Sequence, residues 1–285
     1  MGTCIDTDSP AMKEKIYRLY RDFLDLAEKK RRWSLRSDIP WDQCSSSLNP
    51  AVADVIESFC AVELYLPDYV GKILPHIRAN RGRAWFTANW GYEESKHSLA
   101  LNDWLLRSGS RTEEQMADLE GRVYAHEWNL PMDSVQGMVC YSMVQEVATW
   151  LNYRNLRNVV GAQGDPALYK LLGLISVDER AHFDFFRSLV QMQLEEDREG
   201  TLEQMRRVLN HFSMPAIHSL ADGRRRIEAI KSLRIFDEEI FFQDVYLPVL
   251  ASLGIQRAEM RNPCLNRKTL RMQPSPIDDR SLPAA

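Results

Sequence analysis

Apolar residues recur three and four positions apart along most of this chain, in runs too long for strands and bounded by helix-start and helix-stop signals. Ser9-Pro10 opens the first run, which carries Ile16, Leu19, Tyr20 and Phe23 on one side and extends to about Trp33. A stretch without helical period follows, from Ser34 to Leu48. Asn49-Pro50 opens the next helix. Pro67 lies in its path with no N–H to offer the carbonyl of Glu63, which predicts a kink. Further helices are expected from about Arg83 to Ser108, from the Thr112-x-x-Gln115 capping box to about His126, from Asp133 to Gly161, and from Asp165-Pro166 to about Asp197. Thr201-x-x-Gln204 reads as the cap of another short helix. A last long helix is expected from about Gly223 to Gly254, interrupted near Pro248. Asn262 to Ala285 is polar, proline-containing and aperiodic, a tail expected to be flexible. With no strand pattern and no linker, the expected fold is all-α, a four-helix bundle with flanking helices in one domain over residues 1–261.

A few polar positions break the apolar faces of these helices in a repeated way. Glu94-Ser95-Lys96-His97 and Glu179-Arg180-Ala181-His182 are two copies of Glu-x-x-His, 85 residues apart. Residues three apart on a helix share a face, so each motif aims a carboxylate and an imidazole in one direction. With six histidines in 285 residues, roughly 0.4 such motifs should arise by accident, so one copy means little and two mean more. Glu63 stands 31 residues before Glu94 among Phe59, Val62, Leu64 and Leu66; Glu146 stands 33 before Glu179 in an equally apolar helix. There Ser142, Gln145, Glu146 and Thr149 form one polar stripe. A charged carboxylate in such surroundings costs several kcal/mol unless it is paired or bound to metal. The order Glu, Glu-x-x-His, Glu, Glu-x-x-His is the ligand pattern of carboxylate-bridged dinuclear bundles. Four glutamates would balance two divalent ions. The candidate ligands are Glu63, Glu94, His97, Glu146, Glu179 and His182; His76, His126, His211 and His218 fit no ligand spacing.

On these motifs the chain resembles the soluble acyl-acyl-carrier-protein desaturases, the group that contains the plant stearoyl enzyme and its bacterial relatives. The motifs that carry the resemblance are Glu63 before Leu66-Pro67-Asp68-Tyr69, Trp90-Gly91-Tyr92-Glu93-Glu94-Ser95-Lys96-His97, Gln145-Glu146-Val147-Ala148-Thr149, and Asp178-Glu179-Arg180-Ala181-His182. It runs from about Lys15 to about Gly254. It departs at Ala181, a position that is basic in many relatives, and in an N-terminal region that is longer in the plant enzymes. The resemblance implies a ferritin-like di-iron bundle with those six residues as ligands. It also implies an O2-dependent reaction that places a cis double bond in an acyl chain carried by acyl carrier protein. Electrons would come from a ferredoxin-like donor, and the enzyme would be a homodimer. Asp178 would belong to the hydrogen-bond network behind the ligands. Trp90, one turn before Glu94, faces the same way by packing or by function. Thr149 would face the metals and could steer oxygen or relay a proton. The same ligands suit manganese as well as iron.

Composition agrees with this picture. The chain is 45% hydrophobic and 27% charged, with Gly and Pro sparse at 13 each, as expected of a helical globular protein. No apolar run reaches the roughly 20 residues of a membrane span. Met1-Gly2-Thr3-Cys4-Ile5-Asp6 has neither the basic start nor the apolar core of a secretion signal, and five cysteines form no Cys-x-x-Cys, so a cytoplasmic protein with reduced thiols is expected. The net charge is −4, yet two basic clusters could dock an acidic carrier protein: Lys29-Lys30-Arg31-Arg32, and Arg224-Arg225-Arg226 with Lys231 and Arg234. Neither accompanies an aromatic platform, so nucleic acid is not expected. A related oxygenase that hydroxylates its substrate would share the ligand set, and so would a non-enzymatic ferritin-like metal-binding protein.

Overall fold

Side-chain caps set where the helices start. Ser9, Asn49, Asn80, Thr112, Ser134 and Asp165 each accept a hydrogen bond from a backbone N–H in the first turn that follows, satisfying donors that have no partner within the helix. At Thr112 the bond is reciprocal, with the Gln115 side chain accepting from the Thr112 N–H. The computed structural model describes residues 8–212 and 222–261, all of them helix, turn or coil without strands. The tail after Arg261 and His218 lie outside the described residues.

The helices are α1 (Pro10–Lys30), α2 (Pro50–Glu63), α3 (Leu66–Ile77), α4 (Arg81–Arg107), α5 (Glu113–Tyr124), α6 (Val135–Gln163), α7 (Pro166–Glu196), α8 (Arg198–His211) and α9 (Gly223–Ser232). A final segment, α10, spans 238–252 and contains a π-helical turn at Phe241–Tyr246. Helices α2 with α4 and α6 with α7 are the two main pairs, and α4 touches α7 to close a four-helix bundle. Gly164 at φ 81° ends α6 and lets Asp165 start α7 at once, so that pair runs antiparallel. Around the bundle, α1 packs on α4 and α7, α3 on α4, α8 on α6 and α7, and α9 on α2. One buried apolar cluster runs through all of these, with Trp104, Phe86, Met143 and Leu156 among its members.

Three expectations change. The α2 helix does not kink at Pro67. It ends at Glu63, and Pro67 takes the second position of a new helix, where a missing N–H costs nothing. The cap of α8 is Asp197, whose side chain accepts from Gly200 N; Thr201 lies inside the first turn and donates back to the Asp197 carbonyl. The last helix breaks at Arg234, which has φ 53°, and not at Pro248. Pro248 follows the π-helical turn and sits second in the segment Leu247–Ser252, where it is tolerated.

Candidate metal centre

The apolar faces of α2, α4, α6 and α7 meet, and the polar residues interrupting those faces therefore meet as well. All six expected ligands are buried, His97 and His182 completely. They form two overlapping groups whose ligating atoms lie within 4.8 Å of one another: Glu63, Glu94, His97 and Glu179, and Glu94, Glu146, Glu179 and His182. Glu94 and Glu179 belong to both groups. Glu63 and His97 serve one end, Glu146 and His182 the other.

Both histidines turn Nδ1 inward. His97 Nδ1 lies 2.9 Å from Glu94 and 3.2 Å from Glu179, and His182 Nδ1 lies 3.1, 3.6 and 3.5 Å from Glu94, Glu146 and Glu179. Yet His182 Nδ1, Glu146 Oε1 and both carboxylate oxygens of Glu179 are buried without a hydrogen-bond partner. Unpartnered lone pairs converging in a dry interior are costly, and two cations between them would satisfy all of them. The donor set, four carboxylates and two imidazoles, fits two iron ions and admits manganese.

Electrostatics agree. Burial pushes the Glu63 and Glu146 carboxyls well above the usual carboxylate range, and the neighbouring Glu179 and Glu94 push the same way. Burial opposes charge on Glu94 too, but His97 and His182 outweigh it and hold that carboxyl down at about 2. Burial likewise works against charge on His97 and His182, and the surrounding carboxylates overcome it, raising both well above the ordinary imidazole value.

Behind the ligands the partners cross between the two halves. Asp178, which precedes Glu179, accepts from His97 Nε2 at 3.3 Å and from Trp33 Nε1 at 2.7 Å. Glu93, which precedes Glu94, accepts from His182 Nε2 at 2.6 Å. The sequence singled out Asp178 but not Glu93, although the doubled acid of Glu93-Glu94 was a visible signal. It also missed Tyr153, whose hydroxyl donates to Glu63 at 2.8 Å and which lies two helical turns after Glu146. The basic cluster at the end of α1 is not a surface patch. Arg31 and Arg32 turn inward onto Glu93, and Arg31 onto Asp178, leaving Lys29 and Lys30 outside. The second cluster divides similarly, with Arg226 buried against Glu57 and Asp222.

Two cavities adjoin the cluster. The smaller, about 460 Å³, is lined by Glu63, Glu94, Glu146, Glu179 and Thr149, so Thr149 faces the carboxylates. The larger, about 660 Å³, is mostly apolar, with Phe86, Met138, Val139, Phe185 and Leu189 in its wall. Tyr69, Trp90 and Gln145 line both. These three side chains lie between the cavities, and the Trp90 indole N–H is buried without a hydrogen-bond partner.

A family model described as "Fatty acid desaturase" matches residues 63–253, a stretch containing every one of the six candidate ligands. The chain belongs to this fatty acid desaturase family. Among curated relatives, a Mycobacterium tuberculosis protein named as an acyl-[acyl-carrier-protein] desaturase, DesA1, is 26% identical over 246 residues, covering 84% of this chain and 71% of its own. The chloroplastic stearoyl-[acyl-carrier-protein] 9-desaturase 6 of Arabidopsis thaliana is 31% identical over 173 residues, 56% of this desaturase-family chain and 43% of its own. Among solved structures, the M. tuberculosis protein DesA2 superposes with a TM-score of 0.67 at 17% identity, over 86% of this chain and 95% of that one. An R2-like ligand-binding oxidase reconstituted with Mn/Fe gives 0.55 at 18% identity, over 89% and 96%. The fold is ferritin-like. Among the described residues, no helix of this family member is long and apolar enough to cross a membrane.

Proposed function

We propose that the protein is an O2-dependent di-iron desaturase that introduces a cis double bond into a fatty acyl chain held on acyl carrier protein. The observation that carries this reading is the apolar cavity beside the carboxylate–histidine cluster. Arg83 and Val135, both in its wall, lie eleven residues before Glu94 and Glu146 on parallel stretches of helix, so the cavity extends roughly 16 Å from the carboxylates at 1.5 Å per residue. A mostly apolar cavity of that length suits an extended hydrocarbon chain. The bound iron pair would supply the two-electron oxidation of neighbouring methylenes by O2. Glu63, Glu94, His97, Glu146, Glu179 and His182 would hold it. Trp90, Phe86 and Phe185 would press the chain against the site and exclude water, and Thr149 could hand a proton across the smaller cavity.

The chain would arrive on the phosphopantetheine arm of the carrier and electrons from a ferredoxin-like protein, in the cytoplasm. Residues 1–261 would act as one domain. A homodimer fits the outer face of α4, the side opposite Glu94 and His97. Trp85, Tyr92 and Leu99 stand there seven residues apart, 51%, 53% and 56% exposed. Antiparallel pairing of two copies about Tyr92 would set Trp85 on Leu99 and Arg81 beside Asp103. Leu99→Lys should convert a dimer to a monomer in light-scattering mass measurements, and an unchanged mass would place the interface elsewhere.

The deciding experiment is anaerobic iron reconstitution, then reductant, O2 and a panel of acyl carrier proteins, with product masses recorded. Loss of about two mass units is expected; a gain of about sixteen would mean oxygen insertion and overturn the desaturase reading. Glu146→Ala and His182→Ala should each abolish turnover while the helical circular dichroism persists. Leu189→Trp, in the apolar cavity wall, should shift preference to shorter acyl chains.

A further inference from the structure

Glu93 and Asp178 each hold the outward nitrogen of one ligand histidine, and one side chain touches both. Arg31 donates from Nη1 to Asp178 Oδ1 at 2.5 Å and to Glu93 Oε2 at 3.1 Å, and from Nη2 to Glu93 Oε1 at 3.1 Å. Its side chain is 7% exposed, and its guanidinium lies 4.8 Å above the Phe23 ring, which fixes the plane of the fork. Arg32 reaches only Glu93 of the pair, and spends its other donors on Asn89 and Glu28. Lys96 goes to the Trp33 carbonyl and ring, not to either acid. Arg31 is the C-cap of α1, a helix that supplies no ligand.

We infer that Arg31 is a positioning residue that orients both ligand histidines at once, by holding the two acids that receive their Nε2–H groups. Two buried like-charged acids would otherwise repel each other, and each is free to swing only as far as its cation allows. With both acids fixed, each imidazole presents Nδ1 to the centre in one tautomer and one plane. Arg31 therefore serves both metal positions, and Arg32 serves only the position completed by His182. The inference rests on the reading that the six ligands bind two metals.

The test titrates metal-free full-length protein with Co2+ anaerobically, following the ligand-field absorption and the heat of binding. Wild-type protein should take up two ions. Arg31→Gln should weaken both by about 10–100-fold and alter both absorption signatures, the range seen when an outer partner of a metal-bound histidine is lost. Arg32→Gln should weaken one and leave the other as in wild type. Arg31→Lys, which keeps the charge and the fold but not the fork, should fall between. Unchanged binding of both ions by Arg31→Gln overturns the inference, and so does a single weakened ion that matches Arg32→Gln. Should Arg31→Gln not fold, wild-type affinities and spectra in Arg31→Lys overturn it equally. If wild-type protein binds no Co2+, it is the parent reading that fails.

Discussion

Glu63 is the last residue of its helix. The Tyr153 hydroxyl donates to it from across the bundle. Tyr153→Phe should cost about 0.5–1.5 kcal/mol in urea unfolding of metal-free protein, the scale of a buried hydrogen bond between neutral groups, and weaken metal binding at the end of the cluster where Glu63 lies while sparing the other. Proton uptake gives a second prediction at this scale. His97, His182, Glu63 and Glu146 all titrate above their ordinary ranges in metal-free protein, so metal must displace protons to bind. Calorimetry at pH 7 in two buffers of different ionisation enthalpy should report net proton release, and affinity should fall as pH falls. The sign for stability is the opposite. A folded state that holds protons more tightly than the unfolded chain loses stability as pH rises. The melting temperature of metal-free protein should therefore drop between pH 6 and 9, and that of loaded protein should not. That these six side chains would meet was legible in the sequence, from the doubled Glu-x-x-His and from two glutamates standing where the helical pattern calls for an apolar side chain. Arg31 and Glu93 were not. Both look like ordinary surface charges until α1 is seen to end directly over the acids.

Helix α1 reaches that position with a close approach to α4 at Gly82. A Cβ on Gly82 would lie 2.6 Å from the backbone nitrogen of Tyr17 and 2.7 Å from the carbonyl carbon of Ile16, so α1 and α4 touch backbone to backbone. Gly82→Ala must push the helices apart, because neither backbone can yield as a side chain would. A loss of about 1–3 kcal/mol is expected in denaturant melts. Because the same shift withdraws Arg31, metal affinity should fall in parallel, while Gly121→Ala, inside α5 with open space around it, should leave metal affinity unchanged and add up to about 1 kcal/mol of stability. The helix starts were readable wherever a capping residue precedes proline, as at Ser9, Asn49 and Asp165. The misread boundaries share a cause. Pro67, Thr201 and Pro248 can each start, enter or interrupt a helix, and only the tertiary setting decides which.

The described helices close on a cluster of carboxylates and imidazoles whose unpartnered atoms two cations would satisfy, so metal should act as a structural component. At a thousandfold excess over Kd each bound ion would add roughly 4 kcal/mol, a rise of roughly 10 °C in melting temperature for each ion in a domain of this size; a chelated sample melting at the same temperature as a loaded one would contradict it. Sequence spacing disclosed that the chain contains two similar halves, but not that each half keeps the other's histidine in order. Cleavage in the connection between α5 and α6 would yield two fragments, each with three ligands and an acid facing a ring it does not own. Neither fragment could assemble a competent site by itself, and mixing them should restore metal uptake as a complementation reaction. An ancestral single repeat with this arrangement would have needed a sister copy before it could bind anything.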